Sequence, residues 1–356
     1  MQKHFQVLLV GCGNMAHAWM DYIVTRRDVE VVGLVDIHLP AAEAFAMKKQ
    51  LNVPLFTHIN DALQQITANL VLDISIPSNH YEVAKLAMQR GCDVLAEKPM
   101  AESIEQCLEL VEIAKQTGRT HAIMQNRRFD PKIRALRQML DQHVIGQVGF
   151  VSAQFYLAPQ FGGFREQMES PLLLDMAIHT FDQARLITGA NPVSVYCHEF
   201  NPAGSWYAGN AMAICIFEMS DGSVFHYNGS WCAEGAPTSW EADWRVIGSK
   251  GTAIWDGHHE PYAEIVPLRE QQEAAQQQRL MKEYLHVTAE MAEMTYTFHH
   301  GCLDHMFQAL VNEEKPETDN SDNIYSMAMV LAALESARMK QKVEIASYLE
   351  QAARQK

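Results

Sequence analysis

The chain has 356 residues, 48% hydrophobic and 20% charged, with 28 Lys and Arg against 43 Asp and Glu for a net charge of −15. That carboxylate surplus opposes nucleic acid phosphates and anionic lipid, so no nucleic acid and no membrane partner is expected. The seven cysteines are scattered without a CxxC pair and no apolar run approaches about 18 residues, which reads as a cytoplasmic protein with free thiols.

Residues 5–10, FQVLLV, form a continuous apolar, β-rich run that stops at Gly11, as in a parallel strand covered on both faces. A helix from about Met15 to Thr25 follows, then the strand-like VEVVGLVD ending at Asp36 and the helical AAEAFAMKKQLN. Next come LVLDISIP from Leu70, a helix through Met88, CDVLAEKP from Cys92, a helix from Ile104 to Thr117 and a short strand near Thr120 to Gln125. Strands alternating with helices indicate βαβ units and a parallel sheet. After helical IRALRQML the pattern changes to VGFVSAQFYL, VSVYCHEF, AMAICIFEM and SVFHYNGSW, broken by turns such as Ser220-Asp221-Gly222, which predicts an antiparallel sheet of at least four strands. A helix from Leu172 to Ile187 precedes this sheet. A Gln- and Ala-rich run from Gln271 to His286 reads as a solvated helix, and helices at Leu303 to Val311 and Ile324 to Lys340 close the domain. The expected fold is α/β, with a doubly wound parallel sheet in residues 1–124 and a second α/β domain with a mostly antiparallel open sheet in residues 125–356.

Gly11-Cys12-Gly13-Asn14-Met15-Ala16 has the form GxGxxA between the first strand and helix, with Asp36 ending the second strand. Such a fingerprint binds a dinucleotide: Gly11 makes the tight turn, Gly13 admits the pyrophosphate, and Ala16 lets the helix pack closely. A carboxylate at Asp36 accepts from ribose hydroxyls and repels a 2′-phosphate. Neither Ile37 nor His38 compensates such a phosphate, so NAD is favoured over NADP.

Further along, Ile76-Pro77-Ser78-Asn79-His80, Glu97-Lys98-Pro99, Asn126-Arg127-Arg128-Phe129-Asp130-Pro131, Ile145-Gly146-Gln147-Val148 and Asp175-Met176-Ala177-Ile178-His179-Thr180-Phe181-Asp182 occur in that order. In these segments the chain resembles the Gfo/Idh/MocA family over nearly its whole length, with Glu97-Lys98-Pro99 matching the EKP signature. Ala177 departs from the family's usual Gly in the D-x-G-x-H-x-x-D segment, adding a methyl group near the active face. The resemblance implies a Rossmann domain followed by an α/β domain whose open sheet is often an oligomer interface, hence a homo-oligomer (dimer or tetramer). It also implies cofactor contacts from Pro77, His80, Glu97 and Lys98.

Oxidising a secondary alcohol requires a base, an alignment of the C–H bond and a group that stabilises the alkoxide. Lys98, Asp175 and His179 are residues of these types, and Asp175 and His179, spaced i, i+4, share a helix face. His179 titrates near neutrality whereas a lysine must be lowered from about 10.4, so His179 is read as proton acceptor, Lys98 as alkoxide stabiliser and relay, and Asp175 as orienter. Lys98 as direct base is the close alternative. Arg127 or Arg128 is a candidate contact to cofactor or substrate, and Gln154, Tyr156, Trp231 and Trp240 are candidates for a sugar-contacting surface, with Tyr156 and Trp231 preferred. His299, His300, Cys302, Asp304 and His305 match no zinc spacing, and His258-His259 reads as an exposed turn, so no metal is expected.

The expected activity is NAD-dependent oxidation of a secondary hydroxyl of a sugar, glycoside or inositol. Two alternatives stand beside it: redox-neutral glycoside cleavage with retained NAD, and a non-catalytic NAD-sensing protein.

Overall fold

The computed structural model describes residues 3–267 and 283–354. The chain forms two compact units. One holds the chain through Asn126 together with Thr295–Met327 and the residues from Gln351, and the other holds Arg127–Met294 and Ala328–Glu350.

In the first unit β1 (Phe5–Val10), β2 (Val29–Val35), β3 (Leu55–Phe56), β4 (Leu70–Asp73), β5 (Asp93–Ala96) and β6 (His121–Ile123) form a six-stranded sheet in the order β3-β2-β1-β4-β5-β6. Every pairing is parallel. Val7, Leu8 and Leu9, and all of β4 and β5, are buried, which is why these strands read as unbroken apolar runs. The order reverses between β1 and β4, the switch point outside whose carboxyl ends ligands bind in open α/β sheets. The helices are α1 (Asn14–Ile23), α2 (Leu39–Lys49), α3 (Ile59–Gln65), α4 (Pro77–Gln89) and α5 (Ile104–Thr117). α5 is bounded by chemistry readable in the sequence: Ser103 Oγ accepts from Gln106 N, and Gly118 at φ 64 closes the helix in the left-handed region. β3 and α3 were not anticipated, being too short to carry a period.

The expected division into 1–124 and 125–356 differs from this grouping, because the helix Phe298–Asn312 belongs to the first unit. Phe307 meets Phe5 edge-on at 5.1 Å, the Arg26 guanidinium lies 4.4 Å from the Phe307 ring, and Tyr22 OH donates to Asp304. These partners stand nearly 300 residues apart, beyond the reach of any local pattern.

The second unit carries β7 (Val148–Tyr156), β8 (Pro192–Phe200), β9 (Met212–Met219), β10 (Val224–Ser230), β11 (Asp243–Gly248), β12 (Gly251–Trp255), β13 (Tyr262–Ile265), β14 (Leu285–Thr288) and β15 (Val343–Glu344). They form one sheet in the order β14-β13-β12-β11-β7-β10-β9-β8-β15. Only β7 and β10 pair in parallel, so the sheet is mixed and mostly antiparallel, as expected. Ser220-Asp221-Gly222 turns β9 into β10, with Gly222 at φ 83 and Asp221 accepting from Ser223. α6 (Pro131–Asp141) and α7 (Ile178–Thr188) are also here. Phe181 of α7 packs on Phe217, Phe225 and Tyr227, fixing which sheet face is covered. Most of the expected helix from Gln271 to His286 lies outside the described residues, while Leu285 and His286 belong to β14 and not to a helix.

Candidate active site

The loop between β1 and α1 explains its glycines. Gly11 has φ +91, and a Cβ there would stand 2.4 Å from the Ile74 carbonyl oxygen, so only glycine fits. Gly13 is different: it is exposed, its backbone is extended (φ −79, ψ −168), and nothing lies within 4 Å of where a Cβ would be. It precedes α1, whose N-terminus has no side-chain cap and no acidic residue in its first turn. That end of the helix therefore presents N–H groups and a positive dipole to an approaching anion. Ala16 is fully buried, whereas Asn14 and Met15 are exposed on the loop.

Asp36 directly follows β2. Its Oδ2 accepts from Cys12 N at 2.9 Å and its Oδ1 from His38 N at 2.8 Å, which fixes the carboxylate against the glycine loop. Burial, then Asp36, pushes the Cys12 thiol up to about 12, so it is inert at neutral pH. Gly11, Gly13, Asp36, Ser75, Ile76 and Asn79 line an open cavity of about 750 Å³. Pro77 is the exposed first residue of α4 beside it. The bare Gly13, the uncapped helix end and the anchored Asp36 fit a dinucleotide.

His80 and Glu97 face elsewhere. His80 lies inside α4 rather than in the preceding loop, is 1% exposed, and its Nδ1 meets Asp73 Oδ2 at 2.9 Å. Burial opposes a charged His80, but the Asp73 carboxylate outweighs it and raises His80 above its ordinary value. The same pairing holds Asp73 below its own, against burial, helped by the Ser75 hydroxyl and amide. Sequence reasoning missed Asp73; a carboxylate ending a strand seven residues before a histidine was the available signal. Glu97 accepts from the buried Trp19 indole (2.8 Å) and from Lys98 N (3.2 Å), so its carboxylate anchors the backbone at Lys98. Lys98 is half-buried, with a cis bond to Pro99.

In the second unit Asp175 sits in a π-helical segment, Leu172–Ala177, that runs into α7, which carries His179. The expected continuous α-helix thus begins with a wider turn, a feature often found at functional sites. Asp175 Oδ2 accepts from Arg165 Nε at 2.9 Å, and His179 is 9% exposed. Arg165 was missed by sequence reading.

Five substrate candidates are placed elsewhere. Arg128 is 5% exposed and grips buried Asp182 through Nε (2.6 Å) and Nη2 (2.7 Å), making a structural ion pair. Arg127, 8% exposed, donates to the Trp240 carbonyl and faces Glu241. Trp231 is buried, donates its indole N–H to the Pro171 carbonyl at 3.2 Å and packs against Phe155, Phe161 and Trp240, so it supports a wall instead of lining a free surface. Tyr156, with Gln154, alternates with buried Ala153 and Phe155 and leaves the sheet on the face away from α7. It therefore points away from Asp175.

The remaining histidines diverge. His300 Nε2 faces the Ala18 carbonyl, His305 Nε2 accepts from Glu317 N, and Asp304 holds Tyr22. Among the described residues no group of three His, Cys, Asp or Glu is placed to hold a metal ion. Asp256 Oδ1 accepts from the amides of His258 and His259 in an exposed turn, and the His259 ring meets Asp256 Oδ2. Likewise among the described residues, no helix is long and apolar enough to cross a membrane.

Comparison with known proteins agrees with this geometry. Residues 5–125 match the oxidoreductase family NAD-binding Rossmann fold, and residues 137–345 match the C-terminal alpha/beta domain of the same family, GFO_IDH_MocA. An uncharacterized protein, y4oX, of Sinorhizobium fredii is 28% identical, with 97% of each chain covered. The D-glucoside 3-dehydrogenase of Escherichia coli is 30% identical over 56% of this chain and 59% of its own length, so the match spans little more than half of that enzyme. An oxidoreductase from Agrobacterium radiobacter, solved in complex with NAD+, L-tartaric acid and magnesium, superposes with a TM-score of 0.83 at 16% identity, covering 97% of this chain and 100% of that one, and shares its fold. With an NAD-binding half and a C-terminal half matched in order, the chain belongs to the Gfo/Idh/MocA family of NAD-dependent oxidoreductases.

Proposed function

We propose that the protein is an NAD-dependent dehydrogenase that oxidises a secondary hydroxyl of a sugar, glycoside or inositol. The observation that carries this reading is the cradle at Gly13, where an uncapped helix end and a carboxylate-terminated second strand suit a dinucleotide without a 2′-phosphate. Relatives named D-glucoside 3-dehydrogenase and, in Corynebacterium glutamicum, inositol 2-dehydrogenase support the substrate class.

NAD, when bound, supplies the hydride acceptor. The chain's own residues do the rest: Gly11, Gly13, Asn14, Met15 and Ala16 shape the loop around the pyrophosphate, and Asp36 accepts from the ribose. His179 takes the hydroxyl proton, Asp175 orients the substrate, and the Lys98 ammonium stabilises the developing alkoxide. Glu97 and the Asp73–His80 pair position the backbone and helix around Lys98. The outer face of the large sheet exposes Tyr196, Ile216 and Ile247, which suits a homo-oligomer; light scattering giving the mass of a single chain would reject that part. Absorbance at 340 nm across hexoses, glycosides, inositols and their acids and phosphates tests the activity, with NADH expected from at least one class and Lys98→Ala lowering its rate by at least a hundredfold.

A further inference from the structure

Arg165 is held in an unusual way for a half-exposed cation. Its Nε donates to Asp175 at 2.9 Å, while its Nη1 and Nη2 make no hydrogen bond among the described residues. Its Cζ lies 5.3 Å from the Phe161 ring centroid and 5.0 Å from that of Phe164, so the two rings fix the guanidinium. Both rings are open to solvent, Phe161 at 49% and Phe164 at 68% exposed, and Phe161 is backed by buried Trp231 at 5.5 Å. The segment is anchored below them, where Ala208 N donates to the Glu166 carbonyl, Asn210 N to the Glu169 carbonyl, and a Cβ on Gly209 would strike the Glu169 carbonyl oxygen. The arginine is thus an oriented fork beside Asp175 whose outer edge has no hydrogen-bond partner among the described residues.

We infer that Arg165 selects substrates bearing an anionic oxygen group, a carboxylate or a phosphate, and that the sugar this site oxidises is an acid or a phosphate ester. Two parallel Nη–H donors match two oxygens of such a group, an arrangement a neutral polyol does not need. Charge argues the same way: in a chain of net charge −15, an ionised Asp175 alone would repel an anionic substrate, and the guanidinium against it cancels that repulsion. The exposed rings offer apolar faces to the sugar's C–H surface. This inference rests on the reading of Asp175 as part of the oxidising site.

The test pairs each acid with its neutral parent: glucose against glucuronate and glucose 6-phosphate, galactose against galacturonate, and myo-inositol against its monophosphate. Binding to the NAD-loaded protein is measured by calorimetry, and kcat/KM by NADH formation, for wild type, Arg165→Gln and Arg165→Lys. The expected result is that an acid or phosphate binds and reacts better than its parent. In Arg165→Gln the preference falls by roughly ten- to a hundredfold, the worth of a charge-assisted hydrogen-bonded pair, with Arg165→Lys between. The carboxylate and phosphate arms identify which group is read. Neutral sugars matching or exceeding their acids, no charged compound binding, or a preference untouched by Arg165→Gln overturns the inference. Absence of NADH with every compound, while charged ones still bind through Arg165, instead rejects the dehydrogenase reading.

Discussion

Alanine at Gly11 and alanine at Gly13 should fail in different ways, although both residues belong to one hexapeptide. At Gly11 the backbone has φ +91, and the new methyl would stand 2.4 Å from the Ile74 oxygen, 2.6 Å from its carbonyl carbon and 2.7 Å from Ser75 N. All three are backbone atoms just past the end of β4, so no side-chain rotation relieves the clash. The left-handed conformation costs about 1–2 kcal/mol and overpacking about 1–3 kcal/mol more, for a loss of roughly 3 kcal/mol. For a unit of this size that lowers Tm by roughly 6–12 °C. At Gly13 the backbone is extended and the space is open, so stability falls by no more than about 1 kcal/mol, the difference between glycine and alanine as an N-cap. The methyl there would instead cover the N–H groups meant for the pyrophosphate, and NAD Kd should rise by about tenfold or more. Urea denaturation without cofactor and calorimetric NAD titration separate the two effects. Equal destabilisation by the two variants, or unchanged NAD affinity in Gly13→Ala, would refute the reasoning.

Arg128→Ala leaves Asp182 buried without its bidentate partner and should cost about 3–5 kcal/mol in denaturant titration; an intact fold with a raised KM would return Arg128 to the substrate site. Asp36→Ser should weaken NAD and shift the NAD to NADP kcat/KM ratio toward NADP, and an unchanged ratio would remove Asp36 as the discriminator. Burial drives the Glu199 carboxyl up to about 7, against hydrogen bonds from Ser170 and Asn210. Because the folded value is raised above the unfolded one, the stability linked to protonated Glu199 is full below its ordinary value near 4.5 and is lost as pH rises through about 7. Glu199→Gln should therefore gain stability relative to wild type between pH 5 and pH 8, and a pH-independent difference would contradict this.

The features legible in the sequence were those written locally. A buried strand, a glycine loop and Asp36 fall within 32 residues, and βαβ periodicity placed the strands of the first sheet apart from β3. Contacts made by folding were hidden. Arg128 read as a candidate contact to cofactor or substrate until Asp182, 54 residues away, came to it, and Trp231 as part of a sugar-contacting surface until the Pro171 carbonyl and the rings of Phe155, Phe161 and Trp240 enclosed it. Tyr156 failed by parity, since one residue along a strand decides the face. Arg165 escaped notice because nothing local distinguishes an arginine flanked by phenylalanines from a solvated one; the distance to Asp175 does.

The most direct test of the account is NADH formation followed at 340 nm with wild type, Lys98→Ala and His179→Ala on the same panel of neutral and acidic sugars. The account predicts NADH from wild type with NAD, a loss of at least a hundredfold in each variant, and NAD binding retained in His179→Ala. Full turnover in either variant, or no NADH from wild type across the panel despite bound NAD, would contradict it.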